Sequence, residues 1–305
     1  MENTTFIKNF KVPACAESFV SVTVTPEEQK LLTAFPVGTV FSTEEAISVL
    51  ACPETEAQEI LKNAYCRSTL DKAGEGHWTC NDFYTRISVF CQFEPEKWLQ
   101  VPQSDRDATG LWAIDEFIRR NGLDKDYNNR QDEVLPLDEA LQFLREHPDE
   151  IYLTICDCRP VFNACDHSRE TCITFSHGEN SSFDRGHSRH ISVDEAVALV
   201  KKFDEEGLIH TAEGGRSLCN CCGDCCCYEY RAAKKLNLIG TWPFTNHIAN
   251  HDADSCVSCG LCVERCRMHA LECEDELIFH PELCVGCGLC TSACPMDALT
   301  LVDRK

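Results

Sequence analysis

The stretches CVSCGLCVERCRMHAL (256–271) and CVGCGLCTSACPMDAL (284–299) carry one pattern twice. A glycine stands at the same point of each copy, Gly260 and Gly288, where a tightly bent chain has little room for a Cβ. Three cysteines separated by two-residue gaps can present their thiolates to one compact group, so the pattern predicts a pair of metal-binding loops. Both copies have the spacing C-x2-C-x2-C-x3-C, at Cys256, Cys259, Cys262 and Cys266 and then at Cys284, Cys287, Cys290 and Cys294.

The doubled motif resembles that of bacterial-type ferredoxins with two [4Fe–4S] clusters, over residues 250–305. The resemblance implies crossed ligation, in which the fourth cysteine of each copy binds the cluster of the other copy. Zinc sites or disulfides are the alternatives, and eight cysteines in register with matching glycines disfavour them. The implied ligands are Cys256, Cys259, Cys262 and Cys294 for cluster I, and Cys284, Cys287, Cys290 and Cys266 for cluster II.

One residue departs from the family pattern. In these ferredoxins a proline follows the fourth cysteine, and Pro295 fits, but Arg267 stands in that place in the first copy. The replacement removes no ligand. We expect it to alter the local shape or the potential near cluster II.

The chain of 305 residues is acidic and rich in cysteine, with 24 cysteines and a formal net charge of -22. Its first 20 residues lack a basic region followed by an apolar run, and no stretch approaches the roughly 18 apolar residues of a membrane span. We therefore expect a cytoplasmic protein, with thiols reduced or bound to metal, in an anaerobic host. The acidic charge favours a protein redox partner with a basic docking face and makes nucleic acid an unfavourable partner.

A second cysteine-rich region lies in the middle of the chain. Residues 155–175, ICDCRPVFNACDHSRETCITF, follow an apparent buried strand at 151–155, and residues 219–227, CNCCGDCCC, lead into a helix. Six cysteines in nine residues exceed any packing need, because adjacent side chains point in different directions. The region supplies ten cysteines: Cys156, Cys158, Cys165, Cys172, Cys219, Cys221, Cys222, Cys225, Cys226 and Cys227.

We interpret a subset of these ten as ligands of one or two additional iron–sulfur clusters, with zinc as the less favoured alternative. The preferred ligands are the first four cysteines together with some of Cys219, Cys222 and Cys225. Nearby histidines are expected to be solvated or hydrogen-bonded rather than to bind metal, namely His177, His187, His190 and His210. The isolated cysteines are expected to be small buried side chains, namely Cys15, Cys52, Cys66, Cys80, Cys91 and Cys273.

The N-terminal residues predict helices followed by a hairpin. Ser42 and Glu45 form a capping box that opens one helix, and Pro53 begins the next. Two extended runs around DKAGEG (71–76) complete an order that resembles a winged-helix module. The second helix is acidic, which favours protein docking over DNA binding.

The predicted fold class is α+β multidomain. It comprises a helical winged-helix-like N-terminal module (1–100), connecting helices (101–150), a cysteine-rich α/β middle domain (151–245) and a C-terminal bacterial ferredoxin fold (250–305). The whole arrangement resembles uncharacterised ferredoxin-tailed iron–sulfur proteins of anaerobes.

The predicted function is electron transfer. Two C-terminal [4Fe–4S] clusters would pass single electrons to or from a further cysteine-ligated cluster in the middle domain. A reductase with the middle cluster as its catalytic centre stays open, and so does a redox-sensing regulator that uses the N-terminal module. The sequence contains no G-x-G-x-x-G, Walker A or nucleophile-elbow motif that would support nucleotide, flavin or hydrolase chemistry.

Overall fold

The structure is a computed structural model that describes residues 2–147 and 150–304. The chain forms two compact units. Unit 1 extends to Glu116 and also includes Pro160–Phe162 and His177–Ser188. Unit 2 comprises Phe117–Arg159, Asn163–Ser176 and the chain from Arg189 onward.

Unit 1 is mostly helical, with one small antiparallel sheet of strand order β1-β3-β2. The capping box predicted at Ser42 and Glu45 is confirmed, because each residue bonds the backbone N–H of the other. The predicted hairpin is also confirmed. The elements of unit 1 are α1 (Glu2–Asn9), α2 (Pro26–Ala34), β1 (Val40–Ser42), α3 (Thr43–Leu50), α4 (Glu54–Cys66), β2 (Leu70–Lys72), β3 (His77–Cys80), α5 (Phe83–Phe93), α6 (Pro95–Gln100) and α7 (Gln103–Arg120), with short 3-10 turns at Ala14–Ala16 and Val20–Val22.

Aromatic residues fill the core of unit 1. Phe10 and Phe19 both contact the ring of Phe83, and Phe19 also contacts Trp98, which is buried. The Trp98 indole donates a hydrogen bond to the carbonyl of Val161, 3.2 Å away, so the one polar atom of this buried ring is satisfied. Trp98 is therefore a core residue of unit 1.

Unit 2 begins with a seven-stranded mixed sheet. Its elements are β4 (Asp132–Leu135), α8 (Leu137–Arg145), β5 (Ile151–Ile155), α9 (Cys158–Phe162), β6 (Glu170–Thr174), β7 (Ser188–Ile191), α10 (Val193–Glu205), β8 (Ile209–Glu213), β9 (Ser217–Cys221), a 3-10 turn (Gly223–Cys225), α11 (Tyr228–Leu236) and β10 (Phe244–Thr245). α7, α9 and β7 cross the boundary between the units. The strand order is β10-β4-β8-β9-β6-β5-β7.

Two features of this sheet bear on the sequence analysis. The buried strand predicted at 151–155 is confirmed as β5, whose first four residues are buried. The region 101–150 holds β4 as well as helices, and the sequence pattern did not predict that strand. β4 has only four residues and begins with two acids, so its sequence shows no recognisable alternation of apolar and polar residues. It is a strand because it pairs with β8 and β10.

The C-terminal part of unit 2 repeats a small loop, helix and strand arrangement. Its elements are β11 (His247–His251), α12 (Leu261–Arg265), β12 (Leu271–Cys273), β13 (Leu277–Phe279), α13 (Leu289–Ser292) and β14 (Leu299–Asp303). β11 pairs antiparallel with β14, and β12 pairs antiparallel with β13. We call residues 247–304 the C-terminal module.

Candidate metal centres

The two cysteine loops of the C-terminal module turn at matching glycines. Gly260 and Gly288 both adopt left-handed backbone, with φ of 76° and 80°, and α12 and α13 begin directly after them. Only glycine adopts this conformation without strain, so the repeat in sequence has a backbone cause. In each copy the third cysteine therefore lies in the first turn of a helix and the first two lie in the loop before it. The expected lack of room for a Cβ is wrong at Gly260, where a Cβ would meet nothing within 4 Å.

One pocket of this module contains cysteines from both copies of the motif. Three belong to the first loop and the fourth comes from the end of the second copy, and the remaining lining is largely apolar. Ser258 donates its backbone N–H to Cys256 Sγ at 3.4 Å, a contact that favours a thiolate. We call this space pocket I, and its cysteines are Cys256, Cys259, Cys262 and Cys294.

A second pocket has the reciprocal composition. It contains the three loop cysteines of the second copy and the last cysteine of the first copy. Backbone N–H groups again reach the sulfurs, from Gly286 to Cys284 Sγ at 3.4 Å and from Ala270 to Cys266 Sγ at 3.2 Å. We call this space pocket II, and its cysteines are Cys284, Cys287, Cys290 and Cys266.

Because they are buried, the thiols of pocket II need a nearby cation in order to ionise. It raises the pKa of Cys287 well above that of a free thiol and raises the pKa of Cys290 to about 12. Both side chains would therefore stay protonated at neutral pH without a positive charge beside them. A cavity with four thiols and a largely apolar lining fits a group that supplies its own cations, such as an iron–sulfur cubane.

The ten middle cysteines divide into two groups. Cys219 and Cys221 lie on one face of β9, and Cys172 of β6 lies on the same face because its neighbour Ile173 pairs with Leu218. Six thiols form a closed circuit in which each interacts with the next. We call it the six-cysteine ring, and its order is Cys156, Cys158, Cys227, Cys221, Cys219, Cys172 and back to Cys156.

The thiols of the ring are crowded. Cys158, Cys172 and Cys219 are partly buried, and Cys221 and Cys227 are buried. On the ring itself, Cys227 Sγ lies 3.3 Å from Cys221 Sγ. Unpaired thiolates this crowded repel one another, so a cationic group is needed to hold them ionised.

A carboxylate completes one side of the ring. Glu229 is 5% exposed, its Oε2 has no hydrogen-bond partner among the described residues, and it lies within 4.8 Å of the sulfurs of Cys221 and Cys227. Burial, then the charge of Glu213, raises the pKa of Glu229 well above its usual range. An unsatisfied buried oxygen beside two thiols could serve as a further metal ligand.

The other four middle cysteines form a separate group, which we call the four-cysteine site. Their sulfurs all lie within 4.8 Å of one another. The loop between α9 and β6 supplies one of them, and the segment between β9 and α11 supplies the other three. The members are Cys165, Cys222, Cys225 and Cys226.

The structure thus does not bring the first four middle cysteines together as one set. Cys156, Cys158 and Cys172 belong to the six-cysteine ring, whereas Cys165 belongs to the four-cysteine site. Among the described residues no histidine belongs to either group of cysteines, and His210 is buried with its Nδ1 2.7 Å from Asn220 Oδ1. Sequence reasoning missed Glu229, because a lone glutamate in a predicted helix carries no signal.

The six-cysteine ring and pocket II share a hydrophobic core. Cys221 and Cys227 of the ring pack in one cluster with Met268, Val285 and Leu289 of the C-terminal module. The side chains at the margin of this cluster include Cys219 of the ring and Cys287 of pocket II. The two sets of cysteines are therefore separated by packed side chains and not by a solvent-filled gap.

The arginine that departs from the ferredoxin pattern takes part in this packing. Arg267 donates to the carbonyls of Gly207 and Glu206, at 3.0 and 3.1 Å, just beyond the end of α10. Arg265 donates to two carbonyls in the last turn of the same helix, Asp204 and Glu205. Cations stabilise the C-terminal end of a helix, and a proline at 267 could not make these bonds.

Comparison with known families identifies the C-terminal module. A family model described as a 4Fe-4S binding domain matches residues 249–272 and 277–300. These residues are therefore a 4Fe-4S binding domain with two tandem motifs, which indicates iron–sulfur electron transfer. No curated protein and no solved structure matches the chain. Within residues 2–147 and 150–304, no helix combines the length and apolar character needed to cross a membrane.

Proposed function

We propose that this protein transfers single electrons between a protein partner and a second metal centre held by the six-cysteine ring. Two [4Fe–4S] clusters, held in pockets I and II by the crossed sets of cysteines, would supply the one-electron chemistry. The single observation that carries the proposal is the shared core of Met268, Val285 and Leu289 between pocket II and the ring. Close packing suits electron transfer, which weakens steeply with distance.

The surface beside pocket I supports a docking role. Cys259 is exposed, whereas Cys284 and Cys290 of pocket II are buried. Val257 and Met296, which also line pocket I, are 59% and 48% exposed. Exposed apolar side chains around a partly exposed redox site are suited to a brief contact with a partner, and the net charge of -22 favours a partner with a basic face.

The nature of the middle centre follows from the number of ligands. Six thiols and the Glu229 carboxylate exceed the four ligands of one cubane, so we propose an iron–sulfur centre in the ring with more than four protein ligands or with bridging thiolates. A carboxylate ligand exchanges more readily than a thiolate. Glu229 therefore favours a second candidate function, a reductase in which a substrate displaces this oxygen.

Iron, sulfide and spin measurements on anaerobically isolated full-length protein would test the proposal. We expect about eight irons and eight sulfides for the two cubanes and further iron and sulfide for the ring. The reduced protein should show a magnetic interaction between the pocket II cluster and the ring centre. Cys158→Ser combined with Cys172→Ser should abolish that interaction and leave the ferredoxin signals unchanged. A ring that holds only zinc would contradict the electron-transfer role of the middle region.

The third candidate, a redox-sensing regulator, rests on unit 1. The order α2, β1, α3, α4, β2, β3 with the sheet order β1-β3-β2 supports a winged-helix-like module. α4 carries Glu54, Glu56 and Glu59 in its N-terminal half, which favours a protein target over DNA. Binding of a target that changes with cluster oxidation state would support this candidate over a simple carrier.

A further inference from the structure

The four-cysteine site differs in spacing from the cysteines of pockets I and II. Cys165 Sγ lies 3.7 Å from Cys226 Sγ, and Cys225 Sγ lies 3.8 Å from the same atom. All four sulfurs of the site lie within 4.8 Å of one another. By contrast, among the described residues the sulfurs of the C-terminal cysteines form no group of three or more ligand atoms within 4.8 Å of one another.

The spacing indicates how many metal ions the thiolates share. Four thiolates on one tetrahedral ion, with bonds of about 2.3 Å, place their sulfurs about 3.8 Å apart. In a cubane each thiolate binds a different iron and points outward, so the sulfurs lie much farther apart. The sulfur–sulfur separations of 3.7 and 3.8 Å therefore match four thiolates on one ion. The wider-spaced cysteines of pockets I and II show, in the same molecule, the arrangement that a cubane needs.

The surroundings also suit a compact anionic centre. A divalent ion with four thiolates carries a net charge of about -2. Arg159 is 1% exposed, and its guanidinium interacts with Cys156 of the ring as well as with Cys222 and Cys165 of the four-cysteine site. Its Nη1 donates to Thr171 Oγ1 and its Nη2 to the carbonyl of Asn220, both at 3.0 Å, and its Nε has no hydrogen-bond partner among the residues that the structure describes. A buried cation with a spare donor is stabilised by an adjacent anionic metal–thiolate group.

We infer that Cys165, Cys222, Cys225 and Cys226 bind a single tetrahedral metal ion, zinc or mononuclear iron, separate from any centre in the six-cysteine ring. The ion joins the loop at 163–169 to the segment at 222–226. Both segments are continuous with ring cysteines, because Cys158 and Cys172 flank the first and Cys221 and Cys227 flank the second. The ion thus links the two segments that lead to the ring cysteines.

Metal analysis of matched variants of the full-length protein tests this inference. Cys165 lies on a partly exposed loop, so Cys165→Ser removes one ligand with little disturbance of the core. We expect this variant to lose about one zinc or one iron per chain and no acid-labile sulfide. Cys80→Ser, in unit 1, should lose neither.

Two further measurements keep the test independent of how the variant folds. Exchange with cobalt(II) in the wild-type protein should produce the absorption of one tetrahedral thiolate ion per chain, absent in Cys165→Ser. X-ray absorption at the edge of the bound metal should give sulfur neighbours at about 2.3 Å for zinc. Loss of about four irons and four sulfides in Cys165→Ser, or a disulfide between Cys165 and Cys226 in protein isolated without oxygen, would overturn the inference. Neither result bears on the clusters of pockets I and II.

Discussion

The C-terminal module and the middle region are both rich in cysteine, but they group their cysteines by different physical means. In the C-terminal module one loop wraps each pocket, so three of the four cysteines in a pocket are separated from one another by only two residues in sequence. In the middle region the adjacent residues Cys226 and Cys227 belong to different groups. Spacing therefore predicts partners where a loop surrounds a single group. It fails where strands and helix starts from distant segments converge.

Loss of a whole cluster is the largest expected effect, and it tests the C-terminal side of the comparison. Cys266→Ser should remove about four irons from pocket II, and Cys294→Ser should remove about four from pocket I. Electron paramagnetic resonance of the reduced variants identifies the cluster that remains. Cys273→Ser is the matched control, because its thiol bonds the carbonyl of Ser258 and lies outside both pockets. Loss of the cluster nearest in sequence would refute the crossed ligation.

Neighbouring cysteines test the middle side of the comparison. Cys226→Ser should release the ion of the four-cysteine site, whereas Cys227→Ser should disturb the six-cysteine ring and retain that ion. Both side chains are buried, so the two substitutions are similar in every respect except the group that they enter. Zinc, iron and sulfide contents of the two variants would measure the difference. If both variants lose the same metal, the ten cysteines form a single centre.

Glycine substitutions measure how tightly the C-terminal loops are held. Gly286 has φ of 67°, and an added Cβ would lie 2.1 Å from the carbonyl oxygen of His247. Gly260 has a similar φ of 76°, and a Cβ there meets nothing within 4 Å. Gly260→Ala should therefore cost about 1–2 kcal/mol of backbone strain, and Gly286→Ala should cost several kcal/mol. Thermal unfolding of the anaerobic protein gives both values, and equal losses would contradict the close approach at Gly286.

The smallest expected effect concerns the arginine that departs from the ferredoxin pattern. Arg267→Ala should lose the bonds to the carbonyls of Gly207 and Glu206, and Arg267→Pro should lose them as well. We expect a cost of about 1–2 kcal/mol for either variant, because the side chain is partly exposed and each bond is charge-assisted. Denaturant unfolding measures it. Full stability in Arg267→Pro would show that these bonds do not hold the C-terminal module against α10.

Local signals were sufficient for several elements. The hydrogen bonds of the capping box at Ser42 and Glu45 join residues that are close in sequence, and so do those of the hairpin around 71–76. The local sequence is therefore enough to predict both. The strand β4 was not predicted, since its four residues become a strand through hydrogen bonds to β8 and β10. Arg267 was recognised only as a missing proline. Its role depends on the end of α10, which is about 60 residues away in sequence.

The sequence by itself determined the tandem 4Fe-4S motif and its two glycine turns, because a loop around one compact group requires fixed spacing and left-handed backbone. It also determined that the middle cysteines are too dense for packing alone. Only the tertiary structure decided that ten cysteines divide into a ring of six and a site of four, and that Glu229 and Arg159 border them. The reason is physical: antiparallel pairing of β6 and β9 brings together residues that are more than 40 positions apart, and no local pattern records that register.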